Sequence, residues 1–206
     1  MTGSAGRVPR RSPVKRRSIL DAAIEVFSSQ GYARTSVDAI AAAAGVGKQT
    51  VYGHFGDKER LFLAAVDEAR AASSGDPDNL ASFDGSPLAD LTAIGERLLD
   101  VVLSPRVAAL HRLTVAEISH HPQLQRTWKG SAAPALDGHI AAYFRTCDLD
   151  GTLVVPDPAR TARQFAYLLV TEGRVETGYG TLPLSPDRRR AIAGDCADLI
   201  VRAHRP

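Results

Sequence analysis

Four times after residue 85 the chain sets a capping residue directly before proline: Ser86-Pro87, Ser104-Pro105, Asp157-Pro158 and Ser185-Pro186. Proline at the first helical position gives up no amide that the helix needs, and its φ is already set. The serine or aspartate before it can accept from an unpaired amide of the first turn. His121-Pro122 marks a fifth start less cleanly. This punctuation predicts helices near 87–103, 105–119, 122–147, 158–178 and 186–203. LDGTLVV, 149–155, is the only strand candidate, and it is short. The expected fold class is all-α.

The N-terminal part has helical signals of its own. Residues 1–14 are polar, carry two prolines and are expected to form a disordered basic extension. A helix then begins, with Ile19, Ala22, Ala23, Val26 and Phe27 at helical spacing, and Gly31 sits where a left-handed cap belongs. In TSVDAIAAAAG, Thr35 and Asp38 fit a capping box. Alanine then propagates the helix and Gly45 stops it. A second helix is expected between Gly47 and about Phe55, and Asp57 is placed to cap a third, KERLFLAAVDEARAA. Residues 73–86 are mostly turn formers and read as a linker between a head, 15–72, and a helical body, 87–206.

The stretch GVGKQT looks at first like a phosphate-holding loop. A P-loop needs G-x-x-x-x-G-K-[ST] between a strand and a helix. Aligned on Gly47-Lys48, the first glycine would stand at Ala42 and the hydroxyl residue at Gln49, and an alanine helix precedes it. What remains is helix, short glycine turn, helix: the helix-turn-helix layout, over about 37–56. In that layout the second helix presents its first residues to the major groove. Val37, Ile40, Ala44, Val46, Val51 and Phe55 would share a core with the first helix, leaving Lys48, Gln49, Thr50, Tyr52, Gly53 and His54 on the exposed face. Lysine donates to phosphate or guanine, glutamine reads adenine with two bonds, and threonine can touch a thymine methyl.

Charge agrees. Residues 1–60 carry 10 Lys and Arg against 5 Asp and Glu, a balance of +5, and the other 146 carry 15 against 18, a balance of −3. A basic head on a mildly acidic body fits a polyanion partner at one end only.

The run GYARTSVDAIAAAAGVGKQTVYGHFGDKERLF resembles the DNA-binding domain of the tetracycline-repressor (TetR) family of transcriptional regulators, from about Ile19 to Leu63. The resemblance implies that Thr35 and Ser36 bond a phosphate and that Lys48, Gln49 and Thr50 approach base edges or nearby phosphates. It implies that Tyr52 and His54 hold the DNA backbone and that Lys58 clamps a further phosphate; the other readings are that Tyr52 is partly core and that His54 never touches DNA. Gly47 departs from the family pattern, which commonly has Ser or Thr at this cap. Glycine costs only a few tenths of a kcal/mol there but removes a hydroxyl. Gly53 replaces a larger side chain, so that contact is absent or made by the backbone. Arg7, Arg10, Arg11, Lys15, Arg16 and Arg17 either add phosphate or minor-groove contacts or form a solvated tail.

The family couples this head to a helical body that dimerises and usually binds a small molecule. Small or apolar stripes in the last two helices, Ala159, Ala162, Ala166, Leu169 and Gly173, then Ile192, Cys196, Leu199 and Ala203, are candidates for a four-helix dimer interface. The other reading turns both stripes toward the subunit's own core. Polar groups embedded in the apolar helices, His111, Thr114, Glu117, Trp128, His139 and Tyr143, are candidates for an effector pocket, or else satisfied core groups.

No apolar run approaches the roughly 18 residues that span a bilayer. The N-terminus lacks the unbroken apolar segment of a secretory signal, so a cytoplasmic location is expected. Cys147 and Cys196 are too isolated for a zinc site or a disulfide framework, and no histidine pair has i, i+4 spacing. Neither metal nor cofactor is expected. The leading reading is a dimeric, non-enzymatic repressor, released from a palindromic operator by a small apolar effector. A small-molecule carrier or enzyme with a vestigial head is the alternative. An activator or effector-independent regulator is the alternative within the class.

Overall fold

The computed structural model describes residues 12–74, 86–120, 122 and 134–206. Among them are nine helices and no strand. They are α1 (Pro13–Gln30), α2 (Val37–Ala43), α3 (Lys48–Phe55), α4 (Lys58–Ser74), α5 (Pro87–Leu103), α6 (Pro105–Glu117), α7 (Pro134–Leu149), α8 (Pro158–Glu176) and α9 (Pro186–Ala203). The chain divides into two compact units, Met1–Ala65 and Val66–Pro206, with the division inside α4. Most of the expected linker, with Arg7, Arg10, Arg11 and Trp128, lies outside the described residues.

The first unit is held by one aromatic cluster. Phe27 stacks on Tyr32 with centroids 5.8 Å apart, and Phe62 meets both edge-on at 5.0 Å. Ile19, Leu20, Ala23, Ile40, Val51 and Phe55 close the core around it. Gly45 ends α2 at φ +65°, a left-handed value that suits glycine. That turn lets the Val46 amide donate back to the Ala41 carbonyl at 3.0 Å. Between α3 and α4, Asp57 Oδ1 accepts from the Arg60 amide at 2.7 Å, as a cap should.

In the second unit α5 is the central helix. Its Leu91, Leu98 and Leu99 are wholly buried among Phe144 of α7, Phe165 and Leu169 of α8 and Ile192 of α9. Three successive arginines at the start of α9 fan out from this core. Arg188 pairs with Glu172 and Glu176 on α8 at 3.5 and 3.2 Å, Arg189 with Asp100 on α5, and Arg190 with Glu96 on α5 at 3.5 Å.

The capping prolines stand where the sequence puts them. Ser86, Asp157 and Ser185 accept from the amides of Ala89, Arg160 and Arg188. Ser104 differs: its hydroxyl turns back and donates to the Val101 carbonyl at 2.8 Å, so α6 starts without a side-chain cap. The helix expected from 122 is described only from Pro134 on. LDGTLVV forms a turn rather than a strand. Leu153 and Val155 are buried, and the Val154 amide donates to the His204 carbonyl at 2.8 Å. The Val154 carbonyl lies 2.8 Å from His204 Nδ1; it can only accept, so that nitrogen carries the proton.

Candidate nucleic-acid interface

The interface candidate is built on α2 and α3. Ser36, not Thr35, caps α2: its Oγ accepts from the Ala39 amide at 3.0 Å. Thr35 is buried, and its hydroxyl donates to the Gly31 carbonyl at 2.7 Å. The expected phosphate contact from the Thr35 hydroxyl is therefore corrected, because that hydroxyl faces the interior. The expected capping box shifts with it, and Asp38 is left to another partner.

Gly47 caps α3 through its backbone alone, its carbonyl accepting from the Thr50 amide at 2.8 Å. Val51 and Phe55, one turn apart, are the buried anchors of α3. They fix its rotation. Lys48, Gln49, Tyr52 and Gly53 are then exposed, while Thr50 and His54 are half-buried. Tyr52 is 39 % exposed, which places its ring on the outer face rather than in the core. The His54 ring lies 6.0 Å from that of Phe55. A side chain at Gly53 would meet nothing within 4 Å, so this position is open space on the same face.

Two cations here are held by their surroundings. Lys58 Nζ donates to the Ala33 carbonyl at 3.3 Å and lies 4.4 Å from the centroid of the Tyr32 ring. Lys48 Nζ donates to Asp38 Oδ2 at 2.8 Å. That hydrogen bond, and then the carboxylate charge, raises the lysine above its ordinary pKa. The sequence reading missed this partner, because a ten-residue separation across a turn matches no helical period. It also did not single out the packing of Arg16, whose guanidinium lies 5.6 Å from the centroid of the Phe55 ring. Its i, i+3 and i, i+7 spacing to Ile19 and Ala23 was the available signal.

The second unit corrects the expected interface stripe. Ala162, Ala166, Leu169 and Gly173 on α8, and Ile192 and Cys196 on α9, are buried in the unit's own core. Of the nine stripe residues, Ala159, Leu199 and Ala203 are the exposed ones. The outer faces of α8 and α9 instead carry Tyr167, Leu168, Val175 and Leu199 around an open groove of about 820 Å³.

The expected effector residues occupy separate settings. On α6 Thr114 is buried with its hydroxyl donating to the Leu110 carbonyl at 2.8 Å, and buried His111 stacks on Tyr179. Glu117 is half-buried at the end of α6, and His139 is exposed on α7. Tyr143 donates to Asp90 Oδ2 at 2.9 Å. Burial, then hydrogen bonds involving Cys147 and Asp90, holds its phenol above the ordinary range. Among the described residues no group of three His, Cys, Asp or Glu could hold a metal ion, and no helix is long and apolar enough to cross a membrane.

Comparison with known proteins adds the family context. Residues 19–65 match the family described as "Bacterial regulatory proteins, tetR family", and residues 89–206 match "AefR-like transcriptional repressor, C-terminal domain". Over 119 residues the chain is 35 % identical to the HTH-type transcriptional regulator AcrR of Shigella flexneri, covering 57 % of this chain and 53 % of that one. Over 71 residues it is 38 % identical to the HTH-type transcriptional repressor AcnR of Corynebacterium glutamicum, covering 34 % and 36 %. The chain thus spans about half the length of the first of these relatives and about a third of the second. A crystal structure of a TetR-family regulator from Mesorhizobium loti superposes with a TM-score of 0.80 at 26 % identity, covering 95 % of this chain and all of that one. The flavonoid-responsive regulator FrrA superposes at 0.73 and 25 % identity, covering 95 % and 99 %.

Proposed function

The chain belongs to the TetR family of transcriptional regulators, and from that premise we propose that it is a dimeric repressor that leaves a palindromic operator when a small apolar effector binds. The observation that carries the reading is the rotation of α3. With Val51 and Phe55 packed inward, Lys48, Gln49 and Tyr52 face outward together. Lysine and glutamine donate to base edges, while tyrosine holds a phosphate and fixes register.

Dimerisation follows from the geometry of DNA and is supported by the second unit. Paired reading helices address half-sites one helical turn apart. The exposed apolar side chains on α8 and α9, among them Val175 (65 %) and Leu199 (57 %), form a face that a second copy would cover. The buried small stripe is no part of that face. The named response of FrrA to flavonoids supports a small-molecule effector. To release DNA, the effector must bind the released arrangement more tightly than the DNA-bound one.

The test is an anisotropy titration on a labelled duplex from upstream of the chain's own gene, beside a scrambled duplex of equal composition, each at two salt concentrations. A preference of roughly a thousandfold or more is expected, the low end for specific readers. Equal and steeply salt-dependent binding to both duplexes would mean that only phosphates are read, and would sink the operator assignment.

A further inference from the structure

We propose that Asp38 is a positioning residue for DNA recognition, holding the Lys48 ammonium in place at the start of α3 and keeping it from non-specific phosphates. The inference rests on the reading of α3 as the helix that meets DNA.

Lys48 is the first residue of α3. A cation at a helix N-terminus faces the positive end of the helix dipole and gains nothing there. Its stem is long and flexible, so an unheld ammonium would sweep a wide arc and meet whichever phosphate came first. Asp38 sits in the first turn of α2, where the dipole favours a carboxylate. The two side chains meet at 2.8 Å across the turn between the helices. Both remain about half exposed, at 48 % and 63 % of the side chain. The pair therefore lies at the surface, on the side where α3 presents its polar residues, and is no part of the core.

The stoichiometry of donors gives the pair its use. A lysine ammonium has three N–H groups. One points at Asp38, so two remain, in directions now set by α2. A held ammonium can donate to the acceptor edge of a guanine at one position, which a swinging one does only at a loss of order. The carboxylate also cancels the lysine charge and repels a phosphate that approaches off register. On unrelated DNA the pair stays closed and Lys48 displaces no counterion. Discrimination between sites rises because non-specific affinity falls.

The experiment uses the full chain and two probes: a duplex enriched from a random pool by the wild-type protein, and its scramble. Asp38→Asn frees the ammonium. Affinity for the scramble is expected to rise about threefold to tenfold. The salt slope on it should steepen by about 0.9 per reading head, the increment of one more neutralised phosphate. Affinity for the enriched duplex should not rise with it, so the ratio between the duplexes falls. Asp38→Glu keeps the carboxylate and should restore most of the wild-type slope. Lys48→Gln should weaken the enriched duplex and abolish the effect of Asp38→Asn in the double variant. Thermal melts of all variants separate these effects from loss of fold.

An unchanged slope and ratio in Asp38→Asn overturns the proposal, as does the same rise in the Lys48→Gln background, which would assign the effect to the carboxylate alone. If Lys48→Gln leaves the enriched duplex bound as before, the reading of α3 fails at that residue and takes the proposal with it. If no duplex can be enriched, the regulator's operator assignment itself fails.

Discussion

A Cβ built on Gly173 would lie 2.5 Å from Cδ2 of Leu99, closer than real side chains approach. α8 can cross α5 at that point only because residue 173 has no side chain. Leu99 is wholly buried, so making room would mean repacking its side chain within the core. Gly173→Ala gains up to about 1 kcal/mol of helix propensity, while overpacking a filled core costs about 1–3 kcal/mol. The expected net loss is about 1 kcal/mol, seen as a fall of roughly 2–4 °C in Tm by calorimetry. Gly194 on α9 is the control: its nearest neighbour would be Thr92 Oγ1 at 4.0 Å. Gly194→Ala should raise Tm.

Adjacent hydroxyls at 35 and 36 should separate in their effects. Thr35→Val removes the bond to the Gly31 carbonyl and should cost about 1 kcal/mol in urea unfolding. It should leave DNA affinity per folded molecule unchanged, because that hydroxyl is buried and turned to the Gly31 carbonyl. Ser36→Ala removes the α2 cap and should cost a similar amount. It should also weaken specific and scrambled duplexes alike, as loss of a phosphate contact does. A drop in DNA affinity in Thr35→Val, measured by anisotropy at equal folded concentration, would put the hydroxyl back at the interface.

These residues also illustrate what the sequence could and could not convey. Capping prolines mark helix starts because the φ restriction and the missing amide are local, and Pro87, Pro105, Pro158 and Pro186 each begin a helix. Which of Thr35 and Ser36 caps α2 depends on whether the Gly31 carbonyl lies within reach, and no local pattern carries that. The exposed face of α3 was readable from the spacing of Val51 and Phe55. The partner of Lys48 was not, because it lies across a turn. The small stripe on α8 correctly announced a close helix approach, but small residues do not say whose helix arrives. Here it is α5 of the same chain, with Leu99 against Gly173. The larger exposed residues, Tyr167, Leu168 and Val175, carry the information about the outer face.

Charge placed on that outer face should separate assembly from folding. Leu199 is 57 % exposed. Leu199→Asp should leave the helical circular dichroism intact while light scattering reports a shift from dimer to monomer, since an unpaired carboxylate resists burial in an apolar contact. Affinity for a two-half-site duplex should fall with it. Ile192 is wholly buried on the same helix, so Ile192→Asp should instead lose the fold. A dimer that survives Leu199→Asp unchanged would place the interface elsewhere.

The thiol of Cys196 offers a test of the core that does not depend on DNA. Burial, followed by the charges of Glu172 and Asp195, pushes it from an ordinary value of 9.0 up to about 11. The folded chain thus keeps a proton over a range where the unfolded chain has released it. Where the unfolded state binds fewer protons, stability falls as pH rises. The contribution is fully present below pH 9.0 and is lost progressively up to about 11. One proton sets an upper limit of about 1.4 kcal/mol per pH unit on that slope. Other groups titrate in this window, so the readout is a difference. Urea unfolding of the wild type and of Cys196→Ala would be followed across the same pH range. The variant starts less stable, because a buried atom is lost, but its stability should decline more gently. Parallel curves would mean that the thiol ionises as easily in the folded chain as in the unfolded one, and that the packing of α8 against α9 does not exclude water from it.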